Sequence, residues 1–252
     1  MIFPTAGVTS KMLHLLQARF RHGYQAIPDP LTVGIDPAFP GLPELAIDAD
    51  LELLNKLCPT KAFTSQGLDL GRCIFCGLCS RKYPEMIVFR PNYKMAADSR
   101  EKLIMAPGQT VLPKMDFMLP RKFRYSFALR SVSAAGCNAC EMELGASNNV
   151  NFDISRYGVE TVASPRHADA LILTGPISRN MADALNETWR AIPEPKYLIL
   201  CGACAISGGL FADSAAIDRS FLKHWQACLY IPGCPAHPLS IVSAMYSIMR
   251  GS

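Results

Sequence analysis

The sequence predicts an α/β protein: a mostly parallel sheet covered on both faces, preceded by a small α+β segment and an extended N-terminal arm. Three observations carry this. In residues 125–252, short apolar runs (Phe127–Val132, Val159–Ala163, Ala170–Thr174, Tyr197–Leu200, Leu229–Ile231) alternate with helical stretches (Cys140–Ser147, Ile154–Tyr157, Asn180–Ala191, Pro238–Met249), the pattern of a doubly covered parallel sheet. Upstream, Cys73, Cys76 and Cys79 stand in C-x2-C-x2-C spacing between short strand-like flanks. Before them, prolines at 28, 30, 37, 40 and 43 deny residues 27–43 a regular helix.

The bulk numbers narrow the classes. Of 252 residues half are hydrophobic and 18% charged, enough for a sizeable core, and the net charge of +4 is too mild to point to nucleic acid. No run of 18 uninterrupted apolar residues predicts a membrane span, and residues 1–30 hold no apolar run or cleavage site suited to a secretory leader. Ten cysteines in such a chain read as reduced thiolates on metal in the cytoplasm, not as a disulfide framework.

Four segments follow in order. In residues 1–47, Met12, Leu13, Leu15, Leu16 and Phe20 alternate with Lys11, His14, Arg19 and Arg21, predicting a short basic amphipathic helix. It either packs on its own protein or docks on a membrane-bound partner or anionic surface. The proline-rich stretch after it predicts an arm ordered by lying on something else.

Residues 48–89 carry Cys58-Pro59 and then Cys73, Cys76 and Cys79. A two-cluster bacterial ferredoxin repeats C-x2-C-x2-C-x3-C-P, each fourth cysteine serving the other repeat's cluster. Laid on this chain, one full ligand set is kept: Cys58, Cys73, Cys76 and Cys79. The other is wholly replaced, by Asp48, Leu51, Leu54 and Tyr83. The segment resembles a ferredoxin-like domain reduced to one [4Fe–4S] cluster. The rival is tetrahedral zinc on four thiolates; the C-x2-C-x2-C triple favours the cube. Ala62–Thr64 with Leu68–Leu70 predicts a hairpin, and Met86–Phe89 a strand. Residues 90–124, with four prolines and a short helix expected over Met95–Met105, read as a linker.

In residues 125–252, Cys137 and Cys140 follow one predicted strand, Cys204 ends a second strand region and Cys234 a third, each with glycine nearby. In an open parallel sheet such junctions converge on one edge. Four thiolates there suit a metal or an iron–sulfur cube.

The residues Cys137-x2-Cys140-Glu141, Phe152-Asp-x3-Tyr157-Gly158, Ser164-Pro-Arg-His-Ala-Asp169, Leu173-Thr-Gly175, Glu194-Pro-Lys196, Gly202-Ala-Cys204-x2-Ser207-Gly-Gly209 and Ile231-Pro-Gly-Cys-Pro235 resemble the small subunit of membrane-bound, energy-converting [NiFe] hydrogenases. The complex I subunit that holds the terminal cluster shares this set, but with its first two cysteines adjacent. Residues 1–100, most closely around Leu70-Gly-Arg-Cys73-Ile-Phe-Cys76-Gly77, look like the polyferredoxin-type subunit of formate hydrogenlyase. The resemblance implies a flavodoxin-like fold for residues 125–252 and a second [4Fe–4S] cluster on Cys137, Cys140, Cys204 and Cys234. It implies a hydrogenase-type large subunit, membrane-arm subunits and an upstream electron donor or acceptor as partners, and a peripheral place on the cytoplasmic side of the membrane. Departures at Cys201, His237 and Phe211–Ala227 leave open a complex I-like relative without nickel–iron.

Single residues have competing readings. Cys201 and Cys228 lie in apolar strand-like contexts and read as inert buried thiols. Glu141 serves either a proton path or a helix's first turn. Arg166 and His167 are read as structural, with contact to the second cluster or the large subunit as the alternative. His237 is a candidate donor to a cluster sulfur. No Ser/His/Asp or carboxylate pair points to bond-breaking in this chain, so no catalytic residue is expected.

Overall fold

The computed structural model describes residues 6–23 and 26–251, with side chains from residue 12 onward. The chain begins with α1 (Ala6–His22). Its Met12, Leu13, Leu15, Leu16 and Phe20 are all exposed, Phe20 at 86%. The alternative in which this helix packs on its own protein is therefore not met; the side chain of Lys11 lies outside the described residues. The arm that follows lies on the second half of the chain, as expected: the Arg156 guanidinium donates to the carbonyls of Ile27 (2.9 Å) and Pro28 (3.4 Å).

The first cysteine-bearing region is built from short pieces. β1 (Pro43–Leu45) precedes α2 (Leu51–Leu57), which Asp50 caps by accepting from the Leu53 amide. Then come β2 (Phe63–Thr64), β3 (Gly67–Asp69), α3 (Leu78–Lys82), β4 (Ile87–Phe89) and β5 (Ile104–Met105). β1 pairs with β4, and β2, β3 and β5 form an antiparallel sheet. The predicted hairpin and strand are present. Leu51 and Leu54, at vacated ligand positions, are two of the apolar contacts of α2. Leu54 is fully buried, and Leu51 and Tyr83 pack against the same core; Asp48 stays exposed.

Residues 90–124, expected as a linker, are woven into the fold. In place of a helix over Met95–Met105 there is a 3-10 turn at Glu101–Leu103 running into β5. Ala97 bridges Tyr230 in antiparallel register, exchanging two backbone hydrogen bonds of 2.8 and 3.0 Å. The reason is burial: Met95, Ala97, Leu103 and Met105 are apolar residues at spacings that let each reach the core, and their backbone must then find partners inside the protein.

The rest is the parallel sheet. β6 (Phe127–Ser133), α4 (Ala139–Ala146), β7 (Val159–Thr161), β8 (Ala170–Thr174), α5 (Arg179–Ala191), β9 (Tyr197–Cys201), α6 (Ala203–Ser207), α7 (Phe221–His224), β10 (Leu229–Ile231) and α8 (Pro238–Arg250) follow in order. All strand pairs are parallel, and the spatial order is β7-β6-β8-β9-β10. That is the flavodoxin-like order 2-1-3-4-5, with its switch point between β6 and β8.

Period-two side chains split the core between the two faces. Leu171, Leu173, Leu198, Leu200 and Tyr230 face α5 and the N-terminal region. Ala170, Ile172, Ile199, Cys201 and Leu229 face α8 and α4. The N-terminal region and the sheet thus share one continuous apolar core.

Candidate iron–sulfur sites

The first site is local. Cys58 ends α2, its amide donating to the carbonyls of Leu54 and Asn55. Cys73 and Cys76 lie in the loop after β3, and Cys79 lies in α3, which starts from Gly77 in the left-handed region (φ 68°). Together Cys58, Cys73, Cys76 and Cys79 line one small pocket whose other walls include Phe63, Leu68 and Phe89. The Cys58 sulfur accepts from the Ala62 amide at 3.4 Å, and the Cys73 sulfur from the Phe75 amide at 3.3 Å. Burial pushes the Cys73 thiol far up, and the neighbouring Cys79, Cys58 and Cys76 charges push the same way. Such thiols stay protonated on their own and become thiolates together only where a cationic group takes up their charge.

The second site is assembled across the sheet. β6 delivers Cys137 and Cys140, β9 delivers Cys204 at the start of α6, and β10 delivers Cys234, all at the carboxyl edge. The loops after β6 and β8 meet at the switch point, where a Cβ added to Gly136 would stand 3.1 Å from the Gly175 Cα. Glycine also clears room around the sulfurs: a Cβ on Gly202 would sit 2.5 Å from the Cys140 Sγ, and one on Gly209 3.0 Å from the Cys204 Sγ. Burial raises the Cys140 thiol to about 12 and the Cys204 thiol to about 11. Cys234 acts on both, and Cys137 on Cys204 and Cys234.

Two kinds of group suit four thiolates, a single tetrahedral ion and an iron–sulfur cube. Around a single zinc, sulfurs 2.3 Å from the metal stand only about 3.8 Å apart. Among the described residues no three His, Cys, Asp or Glu side chains converge closely enough to hold one metal ion. A cube places each thiolate on its own iron at a separate corner and so takes a wider set.

The sites adjoin. A cavity of about 250 Å³ is lined by Phe75 from the first region and by Cys234, His237 and Glu143 from the second. The Cys234 thiol is raised by Cys76 as well as by Cys137, after the effect of burial. His237 caps α8, its Nδ1 accepting from the Leu239 amide at 3.1 Å, and burial lowers its pKa. With Nδ1 accepting, the ring proton lies on Nε2, which is its donor.

The remaining singled-out residues separate cleanly. Glu141 accepts from the Ser133 hydroxyl (2.6 Å) and the Thr174 hydroxyl (2.8 Å), and these bonds hold its carboxyl below the usual range against burial. Cys201 is fully buried under α8, and Cys228 packs against the same core. Arg166 and His167 are exposed in a 3-10 turn ahead of β8, at the amino edge of the sheet. Contact with the second cysteine set is thereby excluded for both.

One residue near the site was missed. Arg219 donates from Nη1 to the carbonyls of Pro176 (3.2 Å) and Cys204 (3.1 Å), and from Nη2 to those of Ala205 (2.7 Å) and Ile206 (3.0 Å). It sits in a stretch without periodicity or motif, so nothing local marked it.

Residues 137–248 match the family described as NADH ubiquinone oxidoreductase, 20 Kd subunit. Formate hydrogenlyase subunit 7 of Escherichia coli (strain K12) is 39% identical over 127 residues, which is 50% of this chain and 50% of that protein. Uncharacterized protein MJ0516 of Methanocaldococcus jannaschii is 36% identical over 117 residues, 46% of this chain and 78% of that protein. NAD(P)H-quinone oxidoreductase subunit K of Synechococcus elongatus is 40% identical over 116 residues, 46% of this chain and 49% of that protein. The chain thus spans about half the length of the first and third of these.

Proposed function

The chain belongs to the NADH ubiquinone oxidoreductase 20 kDa subunit family, and from that membership we propose that it is the electron-transfer subunit of a membrane-associated [NiFe] hydrogenase complex. Cys58, Cys73, Cys76 and Cys79 would hold one [4Fe–4S] cluster, and Cys137, Cys140, Cys204 and Cys234 a second. The clusters supply one-electron chemistry when bound. The protein fixes their separation and tunes their potentials.

What supports a relay, above any single motif, is that the two cysteine sets adjoin: Phe75, next to Cys76, and Cys234 line one cavity, and Cys76 acts electrostatically on Cys234. The amides of Ala62 and Phe75, aimed at sulfur in the first set, favour its reduced form. Gly202 and Gly209 leave the second set uncrowded. The 3.6 Å contact between the Cys58 sulfur and the Thr60 hydroxyl adds a polar neighbour to the first.

Bond-making would belong to a large-subunit partner reached from the carboxyl edge of the sheet. Among the described residues no helix is long and apolar enough to cross a membrane. Attachment on the cytoplasmic side would then rest on membrane-arm subunits and on α1, whose exposed apolar side chains and terminal Arg19 and Arg21 suit a membrane-bound partner.

A second reading, a complex I-like oxidoreductase without nickel–iron, is favoured by the 40% identity to the quinone oxidoreductase subunit. Iron and acid-labile sulfide analysis tests the relay in either setting. About eight of each per chain is expected for two cubes, whereas zinc in their place, or about four of each, ends it.

A further inference from the structure

Resting on that reading, we propose that Arg219 is a positioning residue: a cation built into the second site that anchors the backbone of Cys204 and raises the reduction potential of the centre there. The guanidinium comes from the loop between the turn at Gly209–Phe211 and α7. All four of its hydrogen bonds end on main-chain carbonyls: three consecutive ones in α6, beginning with that of Cys204 itself, and one from the loop after β8. It enters no ion pair among the described residues, while the nearby Arg100 is matched by Asp69. Carbonyl oxygens satisfy the N–H donors but do not cancel the charge. The full positive charge therefore stands uncompensated beside Cys204, and the two act on each other electrostatically.

Arg219 is half-buried, and withdrawing such a charge from water without a carboxylate carries a cost that a backbone clip alone does not require. The cost is offset when negative charge develops nearby. Reduction of the second site adds one electron, taken from the upstream donor or, in a titration, from the mediator. Arg219 keeps its proton throughout and opposes the added charge at close range, less screened than a fully exposed cation. Nothing comparable serves the first site. Arg81 reaches the Cys76 carbonyl at 3.0 Å, but it is exposed to solvent, where its charge is screened. The charge raises the second site's potential against the pull of the Ala62 and Phe75 amides on the first, and so favours flow from Cys76 toward Cys234.

The test is a mediated redox titration of the full-length, iron-loaded chain, followed by electron paramagnetic resonance, for wild type, R219Q and R219K, with iron counted in each. In R219Q the second-site signal is expected at a potential lower by about 59 mV or more, a tenfold change in a one-electron equilibrium. R219K, which keeps the charge and loses the fork, retains most of the wild-type value, and the first-site signal does not move in either. Iron kept by R219K but lost by R219Q also supports the charge. An unshifted second signal in R219Q, or equal loss of iron from both variants, reduces Arg219 to a backbone clip and overturns the proposal. A wild-type chain with no second signal overturns the relay itself.

Discussion

The two cysteine sets solve one problem by opposite routes. The first is drawn from residues 58–79, from the end of one short helix, a loop and the start of another. The second is drawn from residues 137–234 and comes together only when β6, β9 and β10 lie side by side. A local set needs little more than its own loop and is ordered by whatever it binds. A set spread along a sheet edge inherits its geometry from the core beneath, here the apolar faces of β8 and β9. The first site should therefore depend on its ligands and the second on its fold.

The sharpest way to break this contrast is Cys73→Ala. Cys73 is the buried member of the first set, and its loss should remove about half the iron and one paramagnetic signal while sparing the other. Loss of both signals would mean the sites are not independent. Gly202→Ala should do the reverse. At φ 89° the alanine is strained, and its Cβ would fall 2.5 Å from the Cys140 Sγ. Second-site iron should drop severalfold, with first-site iron unchanged; equal loss at both would deny the glycine its local role.

A smaller effect follows from proton linkage in the iron-free chain. The fold raises the Cys140 thiol to about 12 and the Cys204 thiol to about 11, chiefly by burial, whereas unfolded thiols ionise near 8.5. Between pH 9 and 12 the unfolded state therefore binds fewer protons than the folded one, so stability present below about pH 8.5 is lost as pH rises. Thermal scans should show the iron-free melting temperature falling by roughly 5 °C or more over that window, and the loaded protein, whose thiolates are already formed, falling less. Equal slopes would mean that the cysteine sets contribute nothing to the difference.

The sheet was legible because β6, β8, β9 and β10 are short apolar runs with turn residues behind them, and the carboxyl edge followed from parallel pairing. Cys58 was legible as a companion of the downstream trio because its spacing keeps the register of a doubled motif, and Leu54 and Tyr83 indeed fill space in the core. What escaped was long-range and short in length. The β1–β4 pair joins three residues to three across more than forty positions, one of them a proline. β5 has only two residues. Arg219 acts through main-chain carbonyls, which carry no sequence signature. The alternative reading of His167 as a neighbour of the second cysteine set fell because a motif fixes which residues are neighbours in the chain but not which edge of the sheet they occupy.

The bridge between Ala97 and Tyr230 has a kinetic meaning. Carriers that live on separate chains must meet, and their traffic weakens as the solution is diluted. Here the stretch that follows the first cysteine set is stitched onto the border strand of the sheet that holds the second, so in the proposed relay neither carrier could wander off and no encounter would precede the hop. The rate of passage between them should be the same in a dilute extract as in a crowded cell.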